Sequence, residues 1–459
     1  MTYRTEKDSL GELKIEIDKY YGVQTARALK NFNISGMALP IDFIRAVTLI
    51  KMAAATANTK LGLLENKLGD AIINAASEIL EGKYDDQFPI DIYQTGSGTS
   101  TNMNVNEVIA NRTCELLGGN KGDKTICHPN DHVNMGQSSN DVIPSAIHIS
   151  AVLKTKGLLI PQLEKLQKVL EDKAEEFSDV IKIGRTHLMD ATPTTLGNEF
   201  SSYAKQIELS INRIDQSLEG LYELPLGGTA IGTGINTDKQ FGELTIKEIS
   251  SLTNISFVQS DNLFEGLASK DAVVFFSGSL NTLACAIMKI ANDLRLLNSG
   301  PRCGISEITL PALQPGSSIM PGKVNPVIPE SAIQVAATVM GMHQTISIAG
   351  SSGNLELNVM MPLIAYNILF MIEILANIAS HLNYKCIKGI VANREKCLNY
   401  VEWSMALVTP LAKKIGYDKA AEIAHEAFEK NKTVKEIVAQ KGILSTEELE
   451  DILNPWNMI

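Results

Sequence analysis

The chain has 459 residues, 44% of them apolar and 20% charged, which is the composition of an ordinary globular protein with ample length for a large core. Its formal net charge of −11 comes with no basic block, which argues against nucleic acid as a partner but not against an acidic substrate held by local cations. Length alone points to about three domains.

Six cysteines, Cys114, Cys127, Cys285, Cys303, Cys386 and Cys397, lie scattered without a Cys-x-x-Cys pair or a Cys/His cluster of zinc spacing. They read as reduced thiols of a cytoplasmic protein with no metal site. The N-terminal stretch is charged from Arg4 and carries no apolar run, so no secretory signal is expected.

In chain order, residues 1–140 alternate short helical patterns with breaks at 36–40 and 118–130. Residues 141–393 change character. Apolar periodicity of 3.6 residues runs over 142–178, 195–223, 264–298, 328–349 and 356–382, predicting five long helices that need one another's apolar faces. Several exceed what one compact domain holds, so an extended bundle covered by partner subunits is expected. Residues 360–382 are apolar enough to raise the question of a membrane span, but Pro362, Asn367, Glu373, Asn377 and His381 interrupt them, and a buried helix with no membrane partner is the expectation. Residues 394–459 return to short helices, as a small helical cap. Strand signals are few, and the fold class expected is mainly all-α.

Chemistry concentrates in six runs. Thr95-Gly-Ser-Gly-Thr99 uses two glycines to present the Ser97 and Thr99 hydroxyls and backbone N–H groups together, which suits a carboxylate oxygen. His128-Pro129-Asn130-Asp131 has the residues of a plain turn. Gln137-Ser138-Ser139-Asn140-Asp141 precedes the first long helix, where Ser139 or Asn140 is expected to cap; a helix N-terminus also attracts anions, so cap and binding site coincide. Gly184-Arg-Thr186-His187 falls at the turn between the first two long helices. Gly227–Gly234 has the look of a nucleotide loop but lacks a Walker lysine, and no cofactor is expected there. The sixth run, 316–326, packs two hydroxyls, Lys323 and Asn325 around Gly316 and Gly322, which read as hinges of a loop that moves and grips an anion.

That sixth run, Gly-Ser-Ser-Ile-Met-Pro-Gly-Lys-Val-Asn-Pro, resembles the third shared region of the fumarase/aspartase superfamily, Gly-Ser-Ser-x-Met-Pro-x-Lys-x-Asn-Pro. Lys323-Val324-Asn325 stands where the argininosuccinate and adenylosuccinate branches would have Lys-Lys-Asn or Lys-Arg-Asn, which narrows the resemblance to fumarases and aspartases. The run from Thr95 resembles the first shared region. Matching segments extend from Tyr20-Tyr-Gly-Val-Gln-Thr25 through the central helices, and the likeness is weakest in the C-terminal cap.

The resemblance implies a three-part subunit (1–140, 141–393, 394–459) whose central helices form a twenty-helix core in a homotetramer, with three subunits contributing to each site. It implies a lyase that forms fumarate reversibly by anti elimination from a C4 dicarboxylate, without a cofactor. Ser317 is the implied base, His187 with Glu330 the implied acid/base pair at the leaving group, and Ser97, Gly98, Thr99, Ser138, Ser139, Asn140, Thr186, Ser318, Lys323, Val324 and Asn325 bind substrate. Residues 128–131 match a second, peripheral dicarboxylate site. Thr95–Thr99, Gln137–Asn140 and Gly227–Thr229 look like fumarases, whereas Leu310–Pro315 and Val327–Glu330 look like aspartases. The expected reaction is loss of water from L-malate, with deamination of L-aspartate as the alternative. A silent scaffold similar to the lens crystallins is the remote alternative, and the presence of Ser317, Lys323, Asn325 and His187 speaks against it.

Overall fold

A computed structural model describes residues 2–459. The described residues form seventeen α-helices and four two-stranded sheets, so the fold is mainly α. Two compact units emerge: Met1–Pro161 with Asn212–Thr282 and Thr338–Ala376, and Gln162–Ile211 with Leu283–Ala337 and Asn377–Ile459.

In the first unit the hub is the helix Ile41–Lys60, packed against Asn66–Leu80, Ser139–Lys154 and Phe241–Thr253. Asp42 in its first turn and Lys60 in its last complement the helix dipole. Phe43, Val47, Ile50, Ala53 and Ala54 are fully buried on it. So is Lys51. Three of the N-terminal helices, Ile41–Lys60, Asn66–Leu80 and Thr99–Leu116, span 20, 15 and 18 residues, longer than the sequence pattern predicts. The reason is visible in burial: Thr99–Leu116 buries Asn102, Asn104, Asn106 and Glu107 together with Val105, Val108 and Ile109, so no clean apolar stripe marks it.

The predicted long helices are present with small breaks. The 142–178 segment becomes Ser139–Lys154, a π-helical turn Thr155–Leu159, and Ile160–Glu176; 264–298 splits into Leu263–Ala268 and Asp271–Leu297. Leu196–Leu218, Val327–Gly350 and Met361–His381 are continuous. Ser139–Glu176, Asp271–Leu297 and Met361–Gly389 have the length and apolar content to cross a membrane. Packing argues otherwise for Met361–Gly389: Ile364, Ile368 and Ile372 are fully buried, and Glu373 meets Lys154 at 2.9 Å while Lys154 also meets Asp42 at 2.7 Å.

In the second unit, the strands Ile181–Thr186 and Met189–Thr195 pair as an antiparallel hairpin. Its Ile183 enters the core of the C-terminal helices with Val401, Leu411, Ile423 and Ile437. Buried Lys182 bridges Glu199 at 2.6 Å and buried Glu307 at 3.1 Å, and Arg185 reaches Glu307 at 2.8 Å. These bonds fix the base of the hairpin and leave its tip free.

Candidate active site

The first group of site residues lies where two helices of the first unit begin. Gly98 precedes Thr99–Leu116 with φ +73, and a Cβ there would meet the Ile143 side chain at 2.9 Å, so only glycine fits. A Cβ at Gly96 would lie 1.8 Å from the Val359 carbonyl oxygen, which ties the loop to the start of Met361–His381. The run that begins at Thr95 is therefore a short loop that becomes a helix at Thr99. Thr99 Oγ1 sits 2.8 Å from Ser97 Oγ and 2.7 Å from Ser139 Oγ, so three hydroxyls converge beside two helix N-termini.

The cap of Ser139–Lys154 is Ser138, one residue earlier than expected, with Asp141 completing a capping box: Asn140 N–H donates to Ser138 Oγ at 3.1 Å and Ser138 N–H donates to Asp141 Oδ1 at 3.0 Å. Buried Asp141 also accepts from Gly227 N–H at 3.2 Å and Thr229 N–H at 2.9 Å, and Asn140 Nδ2 donates to Ala230 O at 2.8 Å. The glycine run at 227–234 thus serves as a clip behind the turn at 138–141. Burial pushes the Asp141 carboxyl up to about 6, against the pull of those three N–H donors. Sequence reasoning passed over Asp141 as a functional position; the signal was its place three residues after Ser138.

At 128–131 the expected plain turn is a single π-helical turn, Pro129–Val133, capped by His128. His128 Nδ1 accepts from Asn130 N–H at 3.1 Å and Asp131 N–H at 3.2 Å, and burial holds its pKa below the usual histidine value. Asn130 and Asp131 are exposed. A cavity of about 660 Å³ is lined by His128 and Asn130 together with Thr95, Thr99 and the cations Lys7, Arg27 and Lys124.

The second group belongs to the second unit. His187 is at the tip of the hairpin, not at a helix turn. His187 and Leu188 have φ of +56° and +61°, the positive pair that a type I′ turn requires, although neither is glycine. Thr186 and His187 are exposed. Backbone held in such a region at a polar tip is a recurrent mark of functional positions.

The 316–325 loop closes on itself. Gly316 N–H donates to Lys323 O at 2.7 Å and Asn325 Nδ2 donates to Gly316 O at 2.6 Å, forming a neck. A Cβ at Gly316 would stand 2.7 Å from Asn325 N, so this glycine permits a close approach and does not act as a free hinge. Gly322, at φ +80 with open space around it, makes the turn. Ser317 Oγ accepts from Ile319 N–H at 3.2 Å and Met320 N–H at 2.9 Å, donors that favour its anionic form. Ser318, Lys323 and Val324 are exposed, with no side-chain bond to Lys323 among the described residues. Glu330 sits in the first turn of Val327–Gly350, and among the described residues no ion pair joins it to His187. Among the described residues no group of three or more His, Cys, Asp or Glu side chains could hold a metal ion.

Residues 11–341 match the family model described as lyase, and residues 407–459 match one for the C-terminus of fumarase C. A class II fumarate hydratase of Thermosynechococcus vestitus is 51% identical over 447 residues, covering 97% of this chain and 96% of the relative. The chain belongs to the class II fumarase family. The mitochondrial fumarate hydratase of Rattus norvegicus is 48% identical over 460 residues, covering 100% of this chain and 90% of that one. Among solved structures, a class II fumarase from Schistosoma mansoni superposes with a TM-score of 0.96 at 42% identity, covering 100% and 99% of the two chains. A cobalt-bound protein of Brucella melitensis described as fumarate lyase:delta crystallin gives 0.97 at 46% identity, covering 100% of this chain and 99% of that one. The match at 407–459 lies in the cap, the part for which the sequence resemblance is weakest.

Proposed function

We infer that the protein is a carbon-oxygen lyase that interconverts L-malate and fumarate by reversible anti elimination of water. The observation that carries this is the near-half identity to fumarate hydratases along the whole chain. The chemistry follows from the two groups of residues. Removing a proton from the carbon next to a carboxylate puts charge onto that carboxylate, which fixed donors must stabilise. Thr99, Ser138, Ser139 and Asn140, at helix N-termini, supply such donors, and Thr186, Ser318, Lys323 and Asn325 complete the grip, with Val324 lending its backbone.

Ser317 is the base in this reading. A serine hydroxyl is a weak base, and the two backbone N–H groups on its Oγ support the role by favouring the alkoxide. The alkoxide takes the carbon-bound proton, the C–O electron pair leaves with the hydroxyl group, and His187 delivers a proton to it so that water departs. Glu330 would hold the imidazole. Because no ion pair joins the two among the described residues, the pairing is assigned to different subunits of a homotetramer with shared sites. Large apolar side chains left open on the long helices, Phe275 at 68% and Ile348 at 55% exposure, support such an assembly. The three-part division at 140 and 393, the peripheral dicarboxylate site at 128–131 and a cytoplasmic location belong to the same reading.

Steady-state turnover of the pure protein on L-malate and on L-aspartate, followed by fumarate absorbance, tests it. Turnover of malate alone is expected. Turnover of aspartate alone would make the protein an ammonia-lyase, and none on either would leave a silent scaffold.

A further inference from the structure

The first unit holds a buried lysine that the reaction does not use. Lys51 lies in the middle of the helix Ile41–Lys60 and is 0% exposed. Burying an amine without a carboxylate in contact is costly, so its partners are informative. Its Nζ donates to Asn134 Oδ1 at 2.9 Å and to Gln137 Oε1 at 2.9 Å. Both acceptors belong to the five-residue stretch 133–137, which leads into the turn at 138–140.

The rest of that stretch is wound around the amine. Asn134 Nδ2 donates to Gln137 O at 3.0 Å, and Gln137 Nε2 donates to Val133 O at 3.1 Å and Met135 O at 3.2 Å. Asn102 and Asn106, both on Thr99–Leu116, add donors to Asn134 Oδ1 at 3.1 Å and 3.2 Å. A single ring of bonds therefore joins Lys51, the helix that starts at Thr99, and the backbone immediately before Ser138. The next residues are the cap Ser138 and the Ser139 hydroxyl on Thr99. Asp141 is the carboxylate that faces this ring, and its own oxygens are occupied by Ser138, Gly227 and Thr229. Lys51 is thus free to serve the amide oxygens. With two acceptors, it satisfies both whether the amine is neutral or charged.

We propose that Lys51 is a positioning residue for dicarboxylate binding: through Asn134 and Gln137 its buried amine sets the register in which Ser138, Ser139 and Asn140 present their donors. It touches no ligand itself. Small displacements of such donors matter because their value depends on aim, not on presence alone. The proposal rests on the fumarase reading for the identity of the ligand.

The test compares full-length wild type, Lys51→Met, Gln137→Met and the double variant, reading kcat and KM on L-malate and the Kd of succinate, a C4 dicarboxylate that does not react, by calorimetry. Each single change is expected to raise KM and Kd by about tenfold, the loss of roughly one well-aimed hydrogen bond, with kcat falling less than KM rises. Because both act through one ring, the double variant should exceed the worse single by no more than about twofold. Multiplying effects in the double variant, or KM and Kd within about twofold of wild type in the singles, would overturn the proposal. If Lys51→Met does not fold, Gln137→Met alone decides by the same thresholds. A wild type that binds succinate but does not turn over malate refutes the fumarase reading, and the succinate constants still judge the positioning role.

Discussion

The segments at 95–99 with 137–141 and at 316–325 are built from the same kinds of residue, small hydroxyls and amides between glycines, yet they are held in opposite ways. The first pair is fixed from outside: Ser97, Thr99 and Ser139 bond to one another, Asp141 clips Gly227 and Thr229, and Gly96 lies against Val359. Among the described residues the loop at 316–325 bonds to itself and, through Asn325 O, to the adjoining Val327 N–H, and Ile319 at its crown is 85% exposed. Polar groups at helix N-termini inside a packed unit cannot move without losing several bonds together, whereas a self-closed loop can swing as a body about its neck. In the proposed reading the difference separates two tasks: a rigid cradle for carboxylates, and a loop that carries Ser317, the proposed base, and can move.

The sharpest way to break this division is Ser317→Ala, which should lower kcat on malate by about 10⁴-fold, the upper range for one acid/base group, while leaving the melting temperature unchanged. Residual turnover above a tenth of wild type would remove Ser317 as base. His187→Ala comes next. At the hairpin tip it is expected to cut kcat by about 10²- to 10³-fold, with little change in the Kd of succinate, as the proposed action at the leaving hydroxyl requires. Equal losses in turnover and succinate binding would make His187 a binding residue instead.

Lys323→Ala should act the other way round, raising KM for malate by about 10- to 100-fold with a smaller fall in kcat, as expected for a charge that grips the carboxylate in ground and transition states alike. A kcat effect that exceeds the KM effect would move Lys323 into the chemistry. Two glycine substitutions compare rigidity directly by thermal melting. Gly96→Ala must displace the Val359 carbonyl, and the loss should be about 3 kcal/mol or more, as for overpacking a tight site. Gly322→Ala meets open space and should cost only about 1 kcal/mol for its left-handed backbone. Similar losses at both would erase the contrast.

The smallest effect concerns pH. Burial lowers Lys51 from the ordinary 10.5 to about 7, so between those values the unfolded chain holds a proton that the folded one has released. Stability attributable to this group therefore rises with pH across that window, and it is lowest below pH 7, where the buried amine is charged. The melting temperature of wild type should gain on that of Lys51→Met as pH increases from about 7 to 10. A constant gap would show that the amine keeps its ordinary pKa.

Residue pattern by itself determined much of this protein. Long 3.6-residue periodicity specified the central helices, because burying a stripe is the only stable use of such a pattern, and the runs at 95–99, 137–141 and 316–325 already carried the residue types that bind a dicarboxylate. What it could not specify were relations between distant residues. Thr99–Leu116 was hidden because its buried Asn102 and Asn106 are paid for by partners 28 to 32 positions away, at Asn134. The cap at Ser138 and the His187 hairpin tip depend on local geometry that the same letters could satisfy in several ways, and the clip formed by Asp141 depends on Gly227 and Thr229, 86 and 88 positions away. No role is assigned to Lys51 from the sequence. Only the tertiary structure surrounds it with amide oxygens, because burial and hydrogen-bond satisfaction are properties of the packed chain and not of any window along it.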